Sequence, residues 1–201
     1  MIKAEGIHKT FEDFTALDNI TCNISDGCIY GMVGSNGAGK STFLRVLSGI
    51  YKPDKGCAYI DDEPIYENPK VKENIVFVSD ELFFLPGATM SKMADFYSSI
   101  YDRFNYDRFL KLAELFELNI KKPIANFSKG MKRQASIILA LSTRAKYMFF
   151  DETFDGLDPV MRNLVKKLIC NDVAEYDTTV IVTSHSLREL EDICDHLALL
   201  H

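Results

Sequence analysis

Gly34-Ser35-Asn36-Gly37-Ala38-Gly39-Lys40-Ser41 is the stretch that decides the fold. Ahead of it, Cys28-Ile29-Tyr30-Gly31-Met32-Val33 is a short apolar run of the kind that forms a buried strand. Behind it, Thr42-Phe43-Leu44-Arg45-Val46-Leu47 has the apolar spacing of a helix. Strand, glycine-rich turn, lysine, hydroxyl and helix, in that order, make a phosphate-binding loop. The glycines let the backbone curl until several N–H groups face one anion, and the new helix adds its N-terminal partial positive charge. Lys40 can reach the β- and γ-phosphates of a nucleotide, and the Ser41 hydroxyl can ligate Mg²⁺. An ordinary glycine-rich turn would match the four fixed positions by chance on the order of one per cent of the time, before the flanking strand and helix are counted.

The rest of the composition narrows the class. With 201 residues, 47% of them hydrophobic, the chain has ample apolar content for a core. A formal net charge of −6 leaves no basic excess to neutralise a nucleic-acid backbone, so DNA and RNA are not expected partners. No segment approaches eighteen consecutive apolar residues, and Met1-Ile2-Lys3-Ala4-Glu5 does not open a signal peptide, so a soluble protein that stays where it is made is expected. Cys22, Cys28, Cys57, Cys170 and Cys194 are odd in number and lack a CxxC pair, which fits reduced thiols in a cytosol better than disulfides or zinc.

Outward from the loop, short strands are expected at Ile2 to Ile7 and Leu17 to Ile24, with Ser25-Asp26-Gly27 turning into the loop strand. Between the two strands, Phe11 and Phe14 stand in a polar setting, where an aromatic can stack on a purine or simply pack. Further strands are expected at Cys57 to Asp61 and Asn74 to Asp80. From about 81 to 145 the pattern turns helical, over Met90 to Tyr101 and Tyr106 to Leu118, rich in Phe, Tyr and Leu. Exposed members of Phe83-Phe84-Leu85-Pro86 and Asp95-Phe96-Tyr97 would mark a docking surface. Tyr147-Met148-Phe149-Phe150 then reads as a central strand delivering Asp151 and Glu152 at its carboxyl end, where ligands bind in open α/β sheets. Helices at Met161 to Val173, entered by Asp158-Pro159, and at Leu187 to Cys194 flank strands at Thr178 to Val182 and His196 to Leu200.

The chemistry follows from these placements. Asp151 is the expected companion to Ser41 around Mg²⁺. Glu152 is placed to orient or deprotonate a water aimed at a γ-phosphate. His185, ending Val180-Ile181-Val182-Thr183-Ser184-His185, can hydrogen-bond that phosphate or link the water to Glu152, although a strand-end histidine is often structural. In Phe127-Ser128-Lys129-Gly130-Met131-Lys132-Arg133-Gln134, Ser128 caps an apolar helix, and with Gly130 it offers a donor-rich entrance for an anion.

These elements, in this order, resemble the nucleotide-binding domain of the ATP-binding-cassette (ABC) family. Gly34 to Ser41 matches Walker A, Tyr147 to Asp151 with Glu152 Walker B, Ser128-Lys129-Gly130-Met131 the signature loop, Gly156-Leu157-Asp158 the D-loop and His185 the switch histidine. Phe11, just before Ala16-Leu17, matches the aromatic that stacks on adenine. The resemblance spans essentially the whole chain. It implies one α/β domain over residues 1–201, in which a P-loop NTPase core sheet carries an antiparallel β-subdomain and an inserted helical subdomain.

The resemblance also implies an activity, MgATP hydrolysis coupled to transport, with Glu152, His185 and Lys40 catalytic. ATP is held by Phe11, by Gly34 through Thr42, and by Ser128 and Gly130 of a second chain. In this family two such domains, identical or different, close head to tail on ATP and drive integral membrane subunits from the cytoplasmic face of the membrane. Two departures stand out. The glutamine of the family's Q-loop is Asp80 here, which is expected to ligate Mg²⁺ or a water with a shorter, charged arm alongside Ser41 and Asp151. The signature reads SKGM where SGGQ is usual, a form that resembles bacterial exporter ATPases. Leu200-His201 stops midway through a strand that continues in the family, which reads as a truncated C-terminus. The rival reading is a soluble ABC ATPase acting on ribosomes or DNA, but the chain has one cassette, no coiled-coil or zinc insertion, and an acidic charge.

Overall fold

The apolar runs around Val76, Phe149 and Ile181 are continuous rather than alternating, the pattern of strands covered on both faces. The computed structural model, which describes all 201 residues, sets these runs side by side. In chain order the elements are β1 (Ile2–Phe11), β2 (Phe14–Ile24), β3 (Ile29–Gly34), α1 (Lys40–Leu47), β4 (Lys55–Ile60), β5 (Glu63–Pro64), α2 (Pro69–Lys72) and β6 (Ile75–Val78). They continue with α3 (Met90–Ser98), α4 (Tyr106–Leu115), α5 (Lys129–Ser142), β7 (Tyr147–Phe150), α6 (Pro159–Tyr176), β8 (Thr179–Ser184), α7 (Leu187–Leu190) and β9 (His196–Leu200).

Five strands form a parallel sheet in the order β6-β7-β8-β3-β9. Because side chains alternate along a strand, each central strand feeds two cores. Val76, Val78, Met148, Phe150, Val180 and Val182 point into a core shared with α3, α4, α5 and α6. Ile75, Tyr147, Phe149 and Ile181 point into the other, filled by α1 and by an antiparallel sheet of order β2-β1-β4-β5. The fold is therefore the expected α/β core with an antiparallel β-subdomain. Three α-helices, α3 to α5, lie in the chain between β6 and β7, which are paired neighbours in the sheet. The Tyr147 hydroxyl lies within hydrogen-bond distance of both Asp26 (3.0 Å) and Asp61 (3.1 Å), with one proton to give, and ties the base of the parallel sheet to the turns of the antiparallel one.

Caps set the helix starts. Thr89, Asn105, Ser128 and Asp158 each accept a first-turn N–H at α3, α4, α5 and α6. β1, β2, α3 and α7 differ in length from their expected extents. β1 and β2 run on to Phe11 and Phe14 because the hairpin pairs Thr10 with Thr15 and Phe11 with Phe14. That tip is exposed, so the apolar alternation fades before the pairing does. α3 stops at Ser98 rather than Tyr101, where the hydroxyls of Ser98 and Ser99 donate to the carbonyls of Asp95 and Phe96 and compete with the helix ladder. α7 closes at Leu190. All five cysteines are free thiols, and no helix is long and apolar enough to cross a membrane.

Candidate functional site

β3, β7 and β8 all end at the same edge of the parallel sheet, so the loops that leave them meet. The loop from β3 wraps the start of α1. Gly39 sits there at φ +91°, and a Cβ on it would lie 2.4 Å from the carbonyl of Ala16, so both the conformation and the space demand glycine. Lys40 is buried. Its Nζ donates to the carbonyls of Gly34 (2.7 Å) and Ser35 (3.1 Å) and lies 3.1 Å from Glu152 Oε1.

The Ser41 hydroxyl donates to Asp151 Oδ1 at 3.0 Å, and Thr183 on β8 donates to the same oxygen at 2.8 Å. Asp151 is fully buried, and its second oxygen, Oδ2, has no protein partner. A buried carboxylate oxygen left unpaired is costly. A hydroxyl and a carboxylate side by side form a hard-oxygen donor set of the kind magnesium takes, so the residues fit the ion.

Glu152 follows at φ +46°, a left-handed conformation that an L-residue holds at a cost of about 1–3 kcal/mol and that is often found at functional sites. Thr183 accepts its N–H at 3.0 Å. The carboxylate is shared: Oε1 faces Lys40, and Oε2 accepts from the backbone N–H of His185 (3.2 Å) and lies 3.1 Å from His185 Nδ1. The hydrogen bond to Glu152, helped by the Asp155 carboxylate 3.9 Å away, raises the affinity of the His185 ring for its proton above the ordinary value. Burial lifts the Asp155 carboxyl as well, against the attraction of His185 and with smaller pushes from the Glu152, Glu189 and Asp80 charges.

These groups line a cavity of about 400 Å³ bounded by Phe14, Ala16, Asn36, Gly37, Gly39, Lys40, Ser41, Thr42, Asp80, Glu152, Asp155 and His185. A larger cavity of about 530 Å³ between β2 and β9 is mainly apolar and gathers no comparable donor set. Of the residues singled out in the sequence, Asn36, Gly37, Gly39, Lys40, Ser41, Thr42, Glu152 and His185 come together here, with Gly34 and Ser35 contributing carbonyls and Asp151 just beneath. Ala38 turns towards the larger cavity. Ser128 and Gly130 do not line the site; Ser128 caps α5, its hydroxyl accepting from Met131 N at 3.2 Å.

Two placements differ from expectation. Phe11 packs edge-on against Tyr51, with ring centroids 5.4 Å apart and the Lys9 ammonium over its face, and it is Phe14, 59% exposed, that borders the phosphate loop. Asp80 lines the cavity, but its carboxylate accepts from Arg133 at 2.6 Å. Thr183 escaped the sequence reading altogether, since a threonine on a buried strand carries no signal until its neighbours are known.

A strand-loop-helix phosphate cradle, an acid pair at the next strand but one and a histidine between them define a nucleotide-hydrolysing α/β cassette. The family model described as ABC transporter matches residues 17–155, and the chain belongs to that family, as an ATP-binding, ATP-hydrolysing subunit of the transporter type. It is 32% identical, over its whole length and 68% of the relative's, to the ABC transporter ATP-binding protein YtrB of Bacillus subtilis. It is 30% identical, again over its whole length and 67% of the relative's, to the bacitracin transport ATP-binding protein BcrA of Bacillus licheniformis. The chain thus spans about two thirds of the length of these relatives. Among solved structures, cbiO1 from Clostridium perfringens, part of the transporter complex cbiONQ, superposes with a TM-score of 0.78 at 27% identity, over 99% of this chain and 84% of that one. Relatives of this kind favour the transporter reading over a ribosome- or DNA-directed ATPase.

Proposed function

We propose that this chain hydrolyses MgATP in the cavity beside Lys40 and Glu152, and that two copies, or this chain and a similar one, close on ATP to drive integral membrane subunits in export. The carrying observation is the convergence of Lys40, Ser41, Asp151, Glu152 and His185 at one sheet edge. The loop N–H groups and Lys40 bind the β- and γ-phosphates and orient them. Ser41 and Asp151 would hold magnesium, which when bound supplies neutralisation of the phosphate charge. Glu152 takes the proton of the attacking water, and His185, hydrogen-bonded to Glu152 Oε2, keeps that carboxylate turned to the task.

The rest of the triphosphate needs donors from its far side, and Ser128 and Gly130, which do not line their own chain's cavity, suit that role when supplied by a second copy. The SKGM signature and the likeness to BcrA, a bacitracin transport protein, support export. The exposed Phe83 and Phe96 in the helical segment suit a membrane subunit's cytoplasmic surface, which supports a working position on the inner face of the membrane. Release of phosphate from ATP, together with co-purification of a multi-span membrane protein, tests this reading; a chain that binds ATP and never hydrolyses it overturns the enzymatic part.

The position of Phe14 leads to a sharper expectation about the base. Phe14→Ala should weaken binding of a fluorescent ATP analogue about tenfold, since one stacked base is worth about 1–3 kcal/mol. Phe11→Ala, whose ring is occupied by Tyr51, should weaken it less. The reverse order in a titration returns the stacking role to Phe11.

A further inference from the structure

Arg133 lies just beyond the first turn of α5, five residues after Ser128, and its side chain is only 2% exposed. Its guanidinium makes two hydrogen bonds, both to neighbouring residues of one loop. Nη1 donates to the carbonyl of Ser79 at 3.1 Å, and Nη2 to Asp80 Oδ1 at 2.6 Å. Asp80 is the one carboxylate paired with it. The two residues belong to different parts of the fold: Arg133 to the helical segment, Asp80 to the loop that leaves β6 and borders the phosphate cavity. A guanidinium buried to this degree needs its counter-charge, and its planar fork fixes direction as well as distance.

A second strut holds the same end of α5. Gly130 packs so closely on the carbonyl of Gly156 that a Cβ would come within 3.2 Å of it. Gly156 lies on the turn that follows Glu152. The root of α5 is thus braced at two points, both on segments that leave the cavity edge of the parallel sheet.

We propose that the Asp80–Arg133 ion pair sets the position of the α5 N-terminus, and so of Ser128 and Gly130, for the nucleotide held by a second copy of the chain. This rests on the two-chain reading above. Asp80 acts through Arg133, as a positioning residue, and its charge is spent on that contact rather than on magnesium. The departure from glutamine at position 80 then has a reason in the chain itself: the carboxylate answers an arginine that a neutral amide would leave without a counter-charge.

The test compares wild type, Asp80→Asn, Asp80→Glu and the reciprocal Asp80→Arg/Arg133→Asp form, each also carrying Glu152→Gln so that ATP is bound and not consumed. Nucleotide affinity of the separate chain is read by fluorescence, with magnesium and with EDTA, and ATP-driven dimer formation by sedimentation. Asp80→Asn is expected to weaken the dimer about tenfold or more, by more than it changes nucleotide affinity, and that smaller change should be the same with and without magnesium. Asp80→Glu and the reciprocal form should recover most of the dimer. A defect of Asp80→Asn in nucleotide affinity that appears only with magnesium overturns the proposal in favour of a metal ligand. Unchanged dimerisation in Asp80→Asn overturns it while leaving the two-chain reading intact. A wild type that binds ATP and stays monomeric overturns the proposal together with the pairing of two copies of this chain.

Discussion

Glu152→Gln is expected to cut phosphate release from ATP by about 10²–10⁴-fold, the range for loss of a general base, while the nucleotide still binds. The substitution keeps the size of the side chain and an oxygen able to accept from the His185 backbone N–H at its present 3.2 Å. What it removes is the negative charge that faces Lys40 at 3.1 Å and the basicity that draws a proton from water. The backbone at position 152 stays in its left-handed conformation, held by Thr183 Oγ1, so the loss is chemical and not a collapse of the loop. Phosphate release and fluorescent-nucleotide binding, measured on the same preparation, separate the two. Turnover equal to wild type would remove Glu152 from the reaction.

The largest expected effect on stability lies away from the cavity. Arg108 of α4 pairs with Asp172 of α6, whose side chain is only 2% exposed. Burial raises the Asp172 carboxyl above its usual range even against the pull of Arg108 and, less strongly, Arg144. Its second oxygen and the Arg108 Nε are buried without partners, so the pair already carries a desolvation cost. Arg108→Ala strips the carboxylate of its main counter-charge and is expected to lower unfolding free energy by about 3 kcal/mol at pH 7, or roughly 6–12 °C in Tm for a chain of this size.

The pH dependence carries the sign of the effect. A carboxyl whose folded pKa is raised binds its proton more tightly in the native state, so stability falls as pH rises from the unfolded to the folded pKa. Removing Arg108 raises the folded value further. The deficit of Arg108→Ala against wild type should therefore shrink on going from pH 7 to pH 5, and Arg108→Ala/Asp172→Asn should recover most of it at pH 7. Chemical denaturation at the two pH values checks this; a deficit independent of pH would mean that lost packing, not the stranded charge, is responsible.

Much of the site was legible because it is local. The phosphate loop is one uninterrupted stretch between strand and helix, and Tyr147-Met148-Phe149-Phe150 announces a strand buried on both faces with Asp151 and Glu152 at its end. The caps at Ser128 and Asp158 follow from single residues at helix starts, and each appears where expected. What stayed hidden is what distant segments do to one another. Thr183 becomes part of the site only because β8 lies beside β7, putting its hydroxyl on Asp151 and on the Glu152 N–H. Phe11 and Phe14 look equivalent in the sequence; the hairpin pairing sends one towards Tyr51 and the other to the rim of the phosphate loop. Asp80 read as a hard ligand by residue type alone, since Arg133, which takes its carboxylate, is more than fifty residues further along the chain.

The central claim is that one chain carries half of each site, with its Lys40 serving one nucleotide and its Ser128 the other. Lys40→Ala removes the phosphate-binding ammonium. Ser128→Asp keeps an acceptor that can cap α5 and sets a negative charge against the partner's triphosphate. Each variant should be inactive alone. In an equimolar mixture, half of the pairs combine the two chains, and each such pair places both defects in one site and leaves the other intact. Phosphate release from the mixture should return to about a quarter of wild-type activity. A mixture as silent as its separate components would contradict the shared site.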